Sequence, residues 1–246
     1  MSKILSIILS VSIIISSFVV FSGCSNKEPN NTTIYDLATT KKTSELWLEE
    51  NGKLVPYLVV EKNYHGQVLV LRKFALDDPM AISEYYSYYE DSIIDVFLNS
   101  DFLERLSTVS DYIPVSNISI MANEAIGLSG TETIEIHRKA FLLSVSELDV
   151  SSSEKEGQSL RYFSDYDNRI CTLENGLSVS WWLRTPNTWN LSTTYVVGSG
   201  NTITTANSSD YAYVRPAFCI KPTTKIYYAN SISENVFGYV LENNKL

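Results

Sequence analysis

The chain has 246 residues and carries 19 Lys and Arg against 28 Asp and Glu, a formal charge of −9. An acidic chain with no basic cluster has nothing with which to neutralise phosphate backbones, so nucleic acid is excluded as a partner. The length suits one large domain or two small ones, and 16 tyrosines within an aromatic content of 12% supply ample core material.

Lys3 opens a mostly apolar, charge-free run from Ile4 to Phe21, which Ser22, Gly23 and Cys24 close. A basic start, an apolar stretch and a small-residue cleavage site are the parts of a secretory signal. Its length lies near the lower limit of about 17–25 residues for a spanning helix, and Ser6, Ser10, Ser12, Ser16 and Ser17 weaken it further. The cysteine directly after Ser22-Gly23 resembles a bacterial lipoprotein lipobox, apart from Phe21, where that family prefers leucine. The resemblance implies acylation (palmitate) of the Cys24 thiol, cleavage after Gly23 and anchoring on the outer face of the cytoplasmic membrane. An ordinary signal peptide and an uncut anchor are the competing readings. Removing residues 1–23 takes away Lys3 and no acid, leaving 18 basic against 28 acidic residues, or −10. Residues 24–45, rich in Asn, Thr, Ser and Lys, read as a flexible tether, and 46–246 as a single domain.

Within that domain, Pro56–Glu61 and Gln67–Phe74 are β-branched runs joined by a turn containing Gly66, a hairpin signal. Ser92 is placed to cap a helix whose face is Ile93, Ile94, Phe97 and Leu98. A break at Asn99-Ser100-Asp101 offers a new cap, and Phe102, Leu103 and Leu106 form the buried side of a second helix. From 107 to 139 the pattern reads as loop with short elements. Ala140–Leu143 is a short apolar run, Ser144–Leu148 a helical turn, and 149–158 a solvated loop. Val179–Arg184, Thr194–Val197, Thr202–Thr205 and Tyr211–Ile220 read as strands, with Gly198–Asn201 turning between the middle two. Hairpins at both ends with helices between them predict an α+β class.

Trp181-Trp182-Leu183-Arg184-Thr185-Pro186, then Gly198-Ser199-Gly200, then Tyr213-Val214-Arg215-Pro216-Ala217-Phe218 resemble an uncharacterised domain of Gram-positive surface proteins with a "WWLRSP … G … VRPA" signature. Pro56–Val60, Ser92–Phe102, and Phe141–Ser144 with Glu147 match earlier blocks in order, giving coverage of 46–221. Thr185 stands where serine is usual, and Cys219 is unusual at its place. The resemblance implies a C-type-lectin-like fold of the formylglycine-generating-enzyme kind.

Arg184 and Arg215 lie in apolar strands, where a guanidinium must find acceptors. They read as structural, with Glu147 a partner for one of them. Trp181 and Trp182 alternate across a strand and read as core packing. Trp189, between Asn187 and Asn190 in a polar loop, has the composition of a recognition site for a glycan or protein, with Asp210 and Tyr211 of the 207–211 turn expected on the same rim; a ring folded back onto its own loop is the competing reading. Four tyrosines between Glu84 and Glu90 cannot share one face, so at least one ring should be partly exposed. No cofactor is implied. His65 and His137 are far apart, and Asp77-Asp78, Glu90-Asp91 and Asp165/Asp167 lack EF-hand spacing, so no metal is expected either. No Gly-x-Ser-x-Gly, HExxH or phosphate-loop motif is present, and Cys171 and Cys219 are not spaced like the reactive pair of the sulfatase-modifying enzymes. The expectation is a non-catalytic binding or scaffold module. An uncharacterised envelope enzyme, a glycan hydrolase or an oxidative modifier, is the alternative. Cys171, expected in an exposed turn, and Cys219, expected in a strand, read as free thiols rather than a disulfide.

Overall fold

The computed structural model describes residues 32–38, 44–127, 132–149, 155–233 and 236–242, together with 130 and 152. The expected leader, Cys24 and most of the expected 24–45 tether lie outside these residues. In chain order the elements are α1 (Ile34–Ala38), β1 (Glu45–Glu50), β2 (Lys53–Tyr64), β3 (Gln67–Arg72), α2 (Ile93–Asn99), α3 (Asp101–Arg105) and β4 (Ser116–Met121). There follow β5 (Thr133–Arg138), β6 (Ala140–Phe141), α4 (Val145–Leu148), β7 (Cys171–Thr172), β8 (Ser178–Val179) and β9 (Trp181–Pro186). The chain closes with β10 (Thr193–Val197), β11 (Ile203–Asn207), β12 (Ala217–Ile220), β13 (Ile226–Ser233) and β14 (Val236–Leu241).

A seven-stranded mixed sheet in the order β13-β14-β1-β2-β3-β12-β6 is the backbone of the fold, and three small sheets, β11-β10-β9, β4-β5 and β7-β8, stand around it. The expected α+β, C-type-lectin-like class is therefore corrected to a β-rich fold. The helical periodicity at 93–106 is real, but the longest helix among the described residues has seven residues. Helices that short make no layer of their own.

The central hairpin forms for the reason the sequence suggests: His65 (φ 51) and Gly66 (φ 82) both turn left-handed between β2 and β3, matching the twist of the strands. A second such turn, Asn51 (φ 50) and Gly52 (φ 80), pairs β1 with β2. Val55 to Val60 are buried without interruption, so both faces of β2 are covered, and α1 packs against β2 and β3. Part of the expected tether is thus structured: Ile34 and Leu37 are buried, Ile34 N–H donates to Thr224 O at 2.9 Å, and Thr33 bridges Lys225.

The Ser92 hydroxyl caps α2, accepting from Asp95 N–H. Ile94 and Leu98 are buried, whereas Ile93 is exposed. Ser100 does not cap α3 with its side chain, because its hydroxyl instead donates to Val96 O at 2.7 Å. The 107–139 loop reading missed the β4–β5 hairpin, whose Ile118 pairs with Ile136 and Ile120 with Ile134. The solvated reading of 149–158 fails at Glu156, which is fully buried. Only the last part of Tyr211–Ile220 is a strand, β12. Cys171 is buried rather than exposed, and both thiols are free. Burial raises the Cys171 thiol pKa and pushes that of Cys219 up to about 12. No helix among the described residues is long and apolar enough to cross a membrane.

Candidate functional site

Three loops meet at one rim. After β9, Asn187 Oδ1 accepts from Trp189 N–H at 3.0 Å, and Asn190 Oδ1 accepts from Ser192 N–H at 3.1 Å and its hydroxyl at 2.9 Å. The two amide oxygens fold the loop, and their Nδ2 groups have no partner among the described residues. After β11, Asp210 Oδ2 accepts from Asn207 N–H at 3.1 Å and Nδ2 at 3.2 Å. Ser208 N–H donates to Ser192 O at 2.7 Å, which joins those two loops. A third segment joins them through Ser83 N–H to Ser208 O at 3.1 Å and Ser87 N–H to Leu191 O at 2.8 Å.

The result is a set of large rings held on a bonded frame yet left in solvent. Trp189 is 76% exposed, Tyr211 75%, Tyr85 71% and Tyr86 63%. Those four are the most exposed aromatic side chains among the described residues, and the hydrogen bonds above gather all of their loops. Tyr85 and Tyr86 sit 6.5 Å apart, centroid to centroid. Leu191, also exposed, lies against Gly127, where a Cβ would come within 2.7 Å of its Cγ. An aromatic left in water among amide and hydroxyl groups is a ready contact for a flat, partly apolar ligand.

The arginines are built differently. Arg184, in β9, is fully buried. Its Nη1 and Nη2 meet both carboxylate oxygens of Glu147 at 2.8 and 2.9 Å. The remaining donors go to Ser119 O at 3.0 Å, Leu142 O at 2.8 Å and Glu156 O. All five guanidinium N–H groups are used, which offsets the cost of burying the charge. Burial by itself would lower the Arg184 pKa; the Glu147 carboxylate beside it, with Tyr64 and the hydrogen bonds, outweighs that and raises it. Glu147 is also held by the Tyr64 hydroxyl at 2.6 Å and by Ser144 N–H at 2.8 Å, and it closes the capping box of α4.

Arg215 has no carboxylate partner among the described residues. Its Nε donates to Arg72 O at 3.0 Å and Nη2 to Lys73 O at 3.4 Å, and it lies 5.2 Å over the Trp181 ring. Trp181 and Trp182 are both fully buried, and their indole N–H groups donate to Arg169 O at 2.9 Å and Met80 O at 2.7 Å. The structure therefore separates two groups of residues. Trp189, Asn187, Asn190, Asp210 and Tyr211 meet at the rim, whereas Arg184, Arg215, Trp181, Trp182 and Glu147 are interior.

Residues 65–222 match the profile of a domain of unknown function, DUF6273. The chain belongs to the DUF6273 family. Its span runs from the β2–β3 turn to just past β12 and contains both the rim and the arginine centre. No curated protein and no solved structure matches the chain. The expected family core of 46–221 reached further toward the N-terminus. In the structure β1, β2, β13 and β14 lie wholly outside the DUF6273 span, yet they continue its main sheet.

Sequence reasoning missed three further polar centres. Arg72 Nε pairs with Glu50 at 2.9 Å, and the Tyr57 hydroxyl donates to the same carboxylate. Arg138 grips Asp95 through Nε at 2.9 Å and Nη2 at 2.9 Å. Glu156 accepts from Met121 N–H at 2.8 Å. No spacing in the chain announces these pairs, which meet only through the sheet. The exposed tyrosines did have a signal, the Tyr85-Tyr86-Ser87-Tyr88-Tyr89 run itself. Among the described residues no cluster of three or more His, Cys, Asp or Glu converges as a metal site.

Proposed function

We propose that this protein is a bacterial surface lipoprotein whose DUF6273 domain is a non-catalytic binding module. Acylation of Cys24 with palmitate would hold it on the outer face of the cytoplasmic membrane, outside the cell. A surface glycan or protein is its partner, taken at the rim of Trp189, Tyr211, Tyr85 and Tyr86. The observation that carries this reading is the exposure of those four rings on a hydrogen-bonded frame, because clustered aromatic faces in solvent are a contact surface for a flat, partly apolar ligand. Two amide groups, Asn187 and Asn190, flank Trp189 in its loop. The acidic charge turns the body away from anionic lipid and nucleic acid, which leaves the acyl chains as the membrane contact.

The test uses the full chain purified in detergent, incubated with insoluble cell-wall glycan and, separately, with surface-protein extract. Trp189→Ala and Tyr211→Ala should each reduce retention at least about tenfold, as truncating a central aromatic anchor does. Equal retention by both variants would refute the rim. Intact mass of the chain from membranes checks the anchor: an N-terminus at Cys24 carrying acyl chains is expected, and a chain that keeps residues 1–23 overturns it.

A further inference from the structure

A cavity of about 350 Å³ adjoins the Arg184 centre. Its walls are the 61–65 turn, Ser119 of β4 and the 155–160 segment. That volume is at the lower end of ligand pockets, roughly 300–1,000 Å³, and would hold about a dozen waters at about 30 Å³ each. The arginine centre pins each wall. Glu156 O accepts from Arg184 and from the Ser144 hydroxyl, and Leu160 N–H donates to Glu147 O at 2.9 Å. Tyr64 ties the turn to Glu147, and Ser119 O accepts from Arg184. A buried ion pair is no better for stability than apolar packing of the same volume. Here one pair fixes three segments around a space, which apolar side chains would not do with the same directionality.

The lining is polar apart from Leu160 and the Tyr64 ring, and it carries both signs of charge. Three charged residues line the cavity: the buried Glu156, whose carboxylate accepts from Met121 N–H, and Glu61 and Lys155, neither of which forms an ion pair among the described residues. Glu61 uses one carboxylate oxygen to accept from Asn63 N–H at 3.0 Å; Lys155 is an exposed residue. The geometry points to a small zwitterion, an α-amino acid or a dipeptide, as the ligand: its ammonium meets Glu61 and its carboxylate meets Lys155. Gln158, Ser159 and Asn63 supply donors and acceptors for the polar atoms between. A monoanion or a simple cation would leave either Glu61 or Lys155 unused, and an apolar ligand would strand both. This site is separate from the rim and does not rest on it.

The full chain in detergent is screened by thermal shift against the twenty free α-amino acids and glycylglycine, and hits are measured by titration calorimetry. At least one zwitterion should bind with one-to-one stoichiometry. Its N-acetyl and carboxamide derivatives, each lacking one charge, should bind about ten- to a hundredfold more weakly, the range expected for a charged hydrogen bond. Glu61→Gln should weaken the zwitterion by a similar factor and leave the N-acetyl derivative unaffected, and Lys155→Met should do the same with respect to the carboxamide. Both residues lie at the surface of the cavity, so the urea midpoint of each variant should match the parent. Binding by no member of the screen at millimolar concentration overturns the proposal, as does binding that survives both substitutions. Loss of the same ligand in Trp189→Ala would also overturn it, by placing that ligand at the rim.

Discussion

Replacing Arg184 with methionine removes five hydrogen bonds and leaves the Glu147 carboxylate buried with no cation. Methionine follows the shape of the arginine stem, so the change is mainly one of charge and hydrogen bonding. Breaking a buried pair from one side costs about 3–5 kcal/mol. The carbonyls of Ser119, Leu142 and Glu156 lose a donor in addition, so the upper half of that range is expected, about 4–5 kcal/mol. Against a typical total of about 5–15 kcal/mol, that is a large share of the fold's stability. Urea unfolding followed by tryptophan fluorescence measures it, with the buried Trp181 and Trp182 as reporters. Arg184→Met/Glu147→Leu removes both charges and should recover most of the loss. It should remain about 1–2 kcal/mol below the parent, because Glu147 also completes the capping box of α4. A single variant that loses less than about 1 kcal/mol, or a double variant no more stable than the single one, refutes the argument that the pair is interdependent.

Alkaline pH should destabilise the domain. Burial first, and then the charges of Glu50, Glu147 and Asp95 respectively, hold the Tyr57, Tyr64 and Tyr89 hydroxyls above the ordinary value of 10.0. Burial moves Cys219 from 9.0 to about 12. Raised folded pKa values favour the protonated forms, so this stability is fully present below pH 9 and is lost as pH rises from there through the folded values. The urea midpoint should fall steadily between about pH 9 and 11, and less so in Tyr64→Phe; a flat profile would contradict the assignment. Gly157 has φ +146, and a Cβ there would come 2.8 Å from Glu147 Oε1. Gly157→Ala should therefore cost about 1–3 kcal/mol in the same assay, and an unchanged midpoint would mean that the 155–160 wall moves away from the carboxylate.

Local signals in the chain were read well where they were strong. The β2–β3 hairpin, the Ser92 cap and the helical turn at Ser144–Leu148 each depend on residues within a few positions of one another. Asn51-Gly52 was an equally strong turn signal, and it would have revealed β1. In β4 and β5 the alternation of isoleucine with polar residues was also present, at Asn117–Ile120 and Ile134–Ile136, but it runs for too few residues to stand out. At the rim, Trp189, Asn187 and Asn190 were legible as an aromatic in an amide loop. Tyr85 and Tyr86 were not connected to it, because about a hundred residues of chain separate them from Trp189.

By itself, then, the sequence determined the turns, the Ser92 cap and the acidic charge, all of which are local or compositional. The tertiary structure decided the rest. It made a β-rich sheet out of strands taken from both ends of the chain and closed Arg184 on Glu147 across 37 positions. It also buried Glu156 inside a segment that reads as solvated, and brought Tyr85 and Tyr86 into the same rim as Trp189. Sheet pairing and buried ion pairs join residues whose separation along the chain carries no periodic trace. Their energy comes from desolvation and hydrogen-bond geometry, which exist only once the strands have met.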